Sequence, residues 1–139
     1  LCPVVSRSYW NSIGERQPSR ALAKARLLHD RDPATSWEKW FAAYPSKGID
    51  LRTGPRFTSS DLSLRAASLG LGVALAQERL AEEDLDSGLL FRPFGSARVS
   101  VPRAYWLIQP VQNDTRPAVR AVAEWIRLQA KRAGSAADS

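Results

Sequence analysis

The sequence predicts an α/β domain built on a mainly parallel sheet. Short apolar stretches alternate with stretches of helical spacing, which is the order that βαβ units produce. The stretch "GVALA" (72–76) is apolar at every position, as expected of a parallel strand covered by helices on both faces. Ser, Thr and Asp mark the helix starts that follow the strands.

The chain begins with a predicted strand at residues 2–6. Residues 7–26 are polar and contain Gly14 and Pro18, which predicts short helical turns and loop. The stretch "RLLH" (26–29) predicts a second strand, and the loop "DRDPAT" follows it.

Ser36 is placed to cap the next helix, "SWEKWFAAY". Its apolar positions follow helical spacing: Trp37, Trp40, Phe41 and Tyr44. Pro45 and Gly48 end that helix, and "GPRFT" (54–58) predicts another strand.

The stretch "SSDLSLRAASLG" predicts a helix that Ser59 or Ser60 caps and Gly70 closes. Asp61 complements the positive end of the helix dipole. After the strand "GVALA", residues 77–88 predict a short helix or turn.

The stretches "LLFRPF" and "RAYWLIQP" predict two further strands, and a long helix begins at Pro117. One face of this helix carries Val119, Val122, Trp125, Ile126 and Gln129. The tryptophans outside the candidate site are expected in the core: Trp10, Trp40, Trp106 and Trp125. The small residues of 133–139 predict a disordered tail.

Composition excludes several kinds of site. The only cysteine, Cys2, rules out an internal disulfide and a cysteine zinc site, and suits a reducing cytoplasm. The only histidine, His29, rules out a His-rich metal centre, and its pairing with Asp32 is the best catalytic dyad available. We therefore expect no enzyme activity, no catalytic residue, no metal and no cofactor.

The charge and hydropathy patterns set further limits. The net charge of +6 comes from basic residues that are scattered and that match no nucleic-acid motif. No apolar run approaches the roughly 20 residues that span a bilayer, so we expect no membrane association. The acidic run at 82–86 lacks the spacing of a calcium loop and predicts a solvated face.

Six elements in order resemble the effector-binding domain of LysR-type transcriptional regulators. The stretch "FTSSDLSLRAASLGLGVALAQERLAEEDLDSGLLFRPF" resembles its second subdomain, and "LLHDRDPATSWEKWFAAY" resembles the strand, loop and Trp-bearing helix before it. "RAYWLIQP" and "RPAVRAVAEWI" resemble its final strand and C-terminal helix. The branch that the chain most resembles includes glycine-cleavage activators and β-lactamase regulators.

The resemblance implies a fold like that of type 2 periplasmic binding proteins, with the ligand between two α/β lobes. Residues 1–103 would form subdomain II, residues 104–132 would return to subdomain I, and 133–139 would be the tail. The chain starts at Leu1 rather than Met and lacks the family's winged helix-turn-helix, so we expect a piece of a longer cytoplasmic regulator. Such a regulator would bind a small effector, form a dimer or tetramer, and contact DNA only through that missing domain.

In such folds ligands lie at the carboxyl ends of parallel strands, where helix N-termini favour anions. The candidate ligand-binding residues come from "DPATSW", "FTSSD", the crossing strand and the end of the first strand: Thr35, Ser36, Trp37, Thr58, Ser59, Tyr105 and Ser6. For each, a cap, core or hinge role is the alternative. For the whole chain, the alternative function is a stand-alone small-solute-binding protein.

Overall fold

The computed structural model describes residues 1–101, 107–108 and 116–135. The chain separates into two compact units, Leu1–Pro102 and Arg103–Ser139. The strands are β1 (Cys2–Val4), β2 (Leu27–Asp30), β3 (Arg56–Phe57) and β4 (Val73–Ala76). The helices are α1 (Arg7–Ser12), α2 (Pro18–Lys24), α3 (Trp37–Ala43), α4 (Ser60–Ser68), α5 (Glu82–Asp86) and α6 (Pro117–Ser135).

The four strands of the first unit form one mixed sheet in the order β1, β4, β2, β3. β2 pairs in parallel with both β4 and β3, whereas β1 runs antiparallel to β4. The predicted α/β fold with a mainly parallel sheet flanked by helices is therefore confirmed. Because β2, β3 and β4 share one direction, their carboxyl ends lie at the same edge, called here the carboxyl edge.

The core lies on both faces of the sheet, as the sequence of β4 predicted. Ala74 and Ala76 belong to a cluster that includes the buried face of α4, and Val73 and Leu75 belong to a second cluster. This second cluster also contains Leu22 of α2 and Trp37 and Trp40 of α3. The alternation explains why no polar residue occurs in β4, since each side chain meets a helix layer.

Gly72, just before β4, lies close to the backbone that leads into β2. A Cβ atom there would lie 2.4 Å from the carbonyl oxygen of Arg26 and 2.8 Å from a methyl carbon of Leu28. The amide of Val73 donates to that same carbonyl at 2.9 Å. The glycine therefore lets β4 approach β2 closely enough to pair.

Some local predictions are wrong. Residues 7–26, predicted as short helical turns and loop, contain two short helices, α1 and α2, so their helical content was underestimated. "LLFRPF" is not a strand: its pairing is a single bridge between Val5 and Phe91, followed by a turn. Pro93 explains this, because proline cannot donate a hydrogen bond to a ladder. Most of "RAYWLIQP", Trp106 included, lies outside the described residues.

The predicted core role of Trp40 is confirmed, since it is 0% exposed, and Trp10 is partly buried against the second cluster. Trp125 on α6 is 59% exposed, so its predicted core role is wrong. An apolar stripe on a helix predicts which face of the helix another element would cover. It does not show that such an element packs against that face. The helix continues to Ser135, three residues into the predicted tail.

Within the described ranges, none of the helices combines the length and hydropathy that a membrane span needs.

Candidate functional site

The carboxyl edge is formed where β2, β3 and β4 end at Asp30, Phe57 and Ala76. Asp30 lies opposite Phe57 in the register, and the amide of Arg31 extends the ladder to the carbonyl of Phe57 at 3.0 Å. From this edge the chain turns into α3 after β2 and into α4 after β3. This arrangement brings the two candidate segments, "DPATSW" and "FTSSD", to the same side of the sheet.

The first segment is held by its own hydrogen bonds. Asp32 Oδ1 accepts the amide of Ala34 at 2.8 Å, and the hydroxyl of Thr35 donates to the carbonyl of Asp32 at 3.0 Å. Thr35 is only 2% exposed, so its hydroxyl shapes the loop. Ser36 occupies the N-cap position of α3, is half-buried and makes no side-chain cap bond.

Trp37 lies in the core rather than along the edge. Its side chain is 1% exposed, and its indole N–H donates to the carbonyl of Leu28 at 2.9 Å. Its ring stacks on Phe41 with 5.7 Å between centroids. The structure therefore gives Trp37 the core role that was the alternative to a ligand wall.

The second segment contributes two hydroxyl residues with different surroundings. Thr58 is exposed. Ser59 has an extended backbone and caps α4, because its Oγ accepts the amide of Leu62 at 3.4 Å. The hydroxyl of Ser60, the other capping candidate, donates to Oδ2 of Asp30.

Ser6 lies at the opposite edge of the sheet. Because β1 is antiparallel to β4, the end of β1 lies beside the start of β4. Ser6 is accordingly close to Gly70, where a Cβ atom would lie 3.5 Å from Ser6 Oγ. Ser6 is also 4% exposed. Tyr105 lies outside the described residues. Of the seven candidates, Ser36, Thr58 and Ser59 thus share the carboxyl edge with hydroxyls that are at least partly accessible.

Asp30 is a residue of this edge that sequence reasoning missed. Its Oδ1 accepts the amide of Asp32 at 3.0 Å while its Oδ2 accepts the hydroxyl of Ser60. It therefore ties the end of β2 to both candidate segments. The available signal was its position, since an acid that ends a parallel strand points toward the ligand side of such folds.

A second missed group lies where the chain leaves β4. Glu78 accepts hydrogen bonds from Arg92 and Arg98, and Arg98 makes two of them. The hydrogen bonds from Arg98 hold the pKa of the Glu78 carboxyl below its usual value, and the partial burial of the carboxyl opposes them. With two guanidinium groups and one carboxylate, this part of the edge carries a net positive charge.

The sequence offered one catalytic dyad, His29 with Asp32, and the two side chains have different partners. His29 is buried, and its Nε2 lies 2.7 Å from the carbonyl oxygen of Thr53. A carbonyl only accepts, so Nε2 carries the proton there. The carboxylate of Asp32 instead accepts the Ala34 amide. Neither residue is placed to activate the other.

Groups of three or more His, Cys, Asp or Glu side chains placed to hold a metal ion do not occur among the described residues. The groups that the carboxyl edge presents are hydroxyls, backbone amides at the start of α4, and the charges of Asp30 and the Glu78 group. These groups bind and orient small polar molecules by hydrogen bonds.

The sequence matches the family described as LysR substrate binding domain over residues 1–131. It is 33% identical over 128 residues to the HTH-type transcriptional regulator TrpI of Pseudomonas aeruginosa, covering 91% of this chain and 42% of that protein. It is 32% identical over 130 residues to the glycine cleavage system transcriptional activator of Escherichia coli, covering 94% and 42%. The chain thus spans well under half the length of these curated relatives.

Solved structures show the same fold. The effector domain of the transcriptional regulator AmpR of Pseudomonas aeruginosa has a TM-score of 0.78 and 24% identity, with 99% of this chain and 64% of that chain covered. The AmpR effector binding domain from Citrobacter freundii has a TM-score of 0.63 and 22% identity, with 89% and 60% covered. The predicted periplasmic-binding-protein-like fold is confirmed by these neighbours.

The expected resemblance to the branch with glycine-cleavage activators is also confirmed by these relatives. They are transcriptional regulators, so a stand-alone solute-binding protein is not favoured. The chain belongs to the LysR substrate-binding domain family.

Proposed function

We propose that this chain is the effector-sensing part of a LysR-type transcriptional regulator and that it binds a small anionic metabolite at the carboxyl edge. The observation that carries the proposal is the meeting of three strand ends with the hydroxyls of Ser36, Thr58 and Ser59 at one edge. Family membership supports it independently.

The start of α4 supports an anionic group on the ligand. The first amides of a helix have no partners within the helix, and the dipole adds partial positive charge there. The net positive charge of the Glu78 group, where the chain leaves β4, acts in the same direction. Thr58 is exposed and directly precedes Ser59, the capping residue of α4. We retain Tyr105 as a proposed contact from the crossing segment, and we assign Thr35 and Trp37 to shaping the first segment.

We propose further that residues 1–103 correspond to subdomain II and residues 104–132 to the return into subdomain I. The division of the chain into the compact units Leu1–Pro102 and Arg103–Ser139 supports this boundary. In the whole regulator, ligand would shift the population of lobe arrangements in a cytoplasmic homodimer or tetramer. DNA would be bound by a winged helix-turn-helix outside this chain, and the ligand would leave the protein chemically unchanged.

Calorimetric titration with a panel of small carboxylates and phosphates tests the proposal. We expect one class to bind, and Thr58→Val to raise its Kd about 5- to 30-fold if one hydrogen bond is lost. Ser68→Ala is the matched control, because the Ser68 hydroxyl donates to the Arg65 carbonyl at the far end of α4.

Mass spectrometry of the ligand recovered from the titration tests the absence of turnover, and we expect its mass to be unchanged. A Kd that Thr58→Val and Ser59→Gly both leave unaltered would remove the carboxyl edge as the site. Failure of every anion to bind would contradict the proposed function itself.

A further inference from the structure

Residues 97–101 are the last described residues of the first unit, which ends at Pro102, and they are called here the exit segment. Alternate side chains of the exit segment pack against the second core cluster: Ala97, Val99 and Val101. The side chains between them are exposed. A period of two is that of a β-strand, so the exit segment lies against the core with one face, as a strand does.

The backbone of the exit segment is held on two sides. The amide of Val99 donates to the carbonyl of Leu1 at 2.9 Å, and the carbonyl of Val99 accepts the amino group of Leu1. The backbone of Arg98 bonds instead to the hydroxyl of Tyr44, which donates to the Arg98 carbonyl at 3.1 Å and accepts the Arg98 amide at 3.3 Å. A hydroxyl can donate and accept at once, so Tyr44 takes the place of a neighbouring strand.

The core fixes the position of the Tyr44 hydroxyl. Tyr44 ends α3, and its amide donates to the carbonyl of Trp40 at 2.8 Å. Its ring lies 4.4 Å from the fully buried ring of Trp40, measured between centroids. The bonds from Tyr44 to Arg98 therefore tie the exit segment to a rigid part of the first unit.

The side chain of Arg98 provides a second hold of a different kind. Its Nε and Nη2 donate to the carboxylate of Glu78, and its Nη1 donates to the carbonyl of Ser96 at 3.0 Å. Both members of the ion pair are about two fifths exposed, so dissolved salt weakens their attraction. The bonds from the uncharged Tyr44 hydroxyl do not share this sensitivity.

We propose that Tyr44 and Glu78 are the two halves of a clamp on Arg98 that keeps the exit segment paired with Leu1. The Tyr44 half holds the backbone of Arg98, and the Glu78 half holds its guanidinium and opens as ionic strength rises. The clamp controls how readily the chain frees itself where it leaves the first unit. It is a property of the fold and does not depend on the proposed ligand.

Hydrogen exchange of the full chain, followed by NMR, tests the Tyr44 half. The amide of Val99 reports opening of the exit segment, and the buried amide of His29, which donates to the Pro55 carbonyl at 2.9 Å, reports opening of the sheet. We expect Tyr44→Phe to speed exchange at Val99 about 3- to 10-fold relative to His29, because the ring stays and only the hydroxyl is lost.

Tyr9→Phe is the matched control for Tyr44→Phe. The Tyr9 hydroxyl also bonds to the backbone, since it accepts the amide of Arg26 at 2.8 Å, but it is far along the chain from the exit segment. Its removal should leave exchange at Val99 unchanged. If Val99 exchange in Tyr44→Phe equals the wild-type rate, or rises only in step with His29, Tyr44 does not clamp the exit segment and the proposal fails.

Salt dependence tests the Glu78 half. Raising the salt concentration from about 50 mM to about 500 mM should speed exchange at Val99 relative to His29 in the wild type. Glu78→Gln should exchange about 2- to 5-fold faster than the wild type at low salt and should no longer respond to salt. Neither substitution alters a sequence neighbour of Val99, so the intrinsic exchange rate of that amide is the same in all variants.

Glu15→Gln is the matched control for the ion pair. Glu15 accepts a hydrogen bond from Lys24 at 3.3 Å, and breaking that pair should leave the salt response of Val99 as it is in the wild type. A salt response that persists in Glu78→Gln, or that disappears in Glu15→Gln, would show that the Glu78–Arg98 pair does not hold the exit segment.

Discussion

The carboxylate of Glu78 holds the guanidinium of Arg98 by two hydrogen bonds, with Arg98 Nε 2.6 Å from Oε2 and Nη2 2.6 Å from Oε1. Arg98 precedes Val99, whose amide donates to the carbonyl of Leu1 at 2.9 Å. The ion pair thus joins the end of β4 to the segment that pairs with the start of β1. Both side chains are about two fifths exposed, so solvent screens the pair.

The substitution Glu78→Gln should make the unfolding free energy less dependent on pH in the acidic range. The pKa of Glu78 is lowered in the folded chain, so its contribution is complete above the ordinary carboxyl pKa of about 4.3 and is lost as the pH falls through the lowered value. At neutral pH we expect a loss of about 1 kcal/mol or less, as for exposed ion pairs. Urea unfolding at several pH values measures the difference.

Glu38→Gln, at an exposed position in α3, is the control for this titration. The gap between wild type and Glu78→Gln should close as the pH is lowered. A gap that stays constant down to pH 3 would show that the pair with Arg98 does not favour the ionised carboxyl.

Gly72→Ala should destabilise the fold by about 1–3 kcal/mol, as overpacking does. The added methyl would lie 2.4 Å from the Arg26 carbonyl oxygen, where β4 pairs with β2. Gly48→Ala is the matched control, because that position has φ +79° and no atom within 4 Å of the new Cβ. Thermal unfolding measures the loss of stability in each variant. Gly48→Ala reports backbone strain alone, whereas Gly72→Ala reports a steric clash. Equal losses of stability would show that β4 and β2 move apart to accommodate the methyl group.

Trp40→Ala should cost about 3–5 kcal/mol of stability. The ring is fully buried, lies 4.4 Å from the Tyr44 ring and 5.4 Å from the Phe94 ring between centroids, and leaves a cavity when removed. Trp125→Ala removes the same group from a position that is 59% exposed and should cost much less. Denaturant midpoints measure the loss of stability in each variant. Similar losses in the two variants would mean that the Trp125 ring is buried in solution.

Ser59→Ala should lower stability by about 1 kcal/mol, whereas Ser59→Gly should lower it by only a few tenths. The difference arises because glycine is accepted at a helix N-cap and alanine is not. Both variants lack the hydroxyl, so equal losses of ligand affinity in the two would identify the hydroxyl as a contact. If Ser59→Ala weakens ligand binding more than Ser59→Gly does, in parallel with its larger loss of stability, Ser59 acts only as a helix cap.

The sheet and the position of the edge were predictable because their signals are local. The all-apolar sequence of β4 indicates that helices cover both faces of the sheet. Ser59 and Asp61 indicate where α4 begins. The direction of β1 has no such signal, because an antiparallel strand on the flank of a parallel sheet can show the same residues. That is why Ser6 was grouped with residues that lie at the opposite edge.

The missed residues show the same limit. Asp30 could have been noticed as an acid at a strand end, but its bond to Ser60 spans 30 positions and follows from the sheet order alone. The pairing of Glu78 with Arg98 depends on a reversal of the chain direction, and no sequence motif predicts that reversal. The exposure of Trp125 likewise depends on what lies against α6, which helical periodicity does not contain.

Cys2 lies in β1 with 1% of its surface exposed, and burial raises the pKa of its thiol. It is the only cysteine in the chain. Because thiol reagents attack the accessible thiolate, the native cysteine should resist alkylation while the sheet is intact. A cysteine introduced at the exposed Thr58 would then be the only site that takes a fluorescent label, which gives a direct optical signal at the carboxyl edge without any need to remove Cys2.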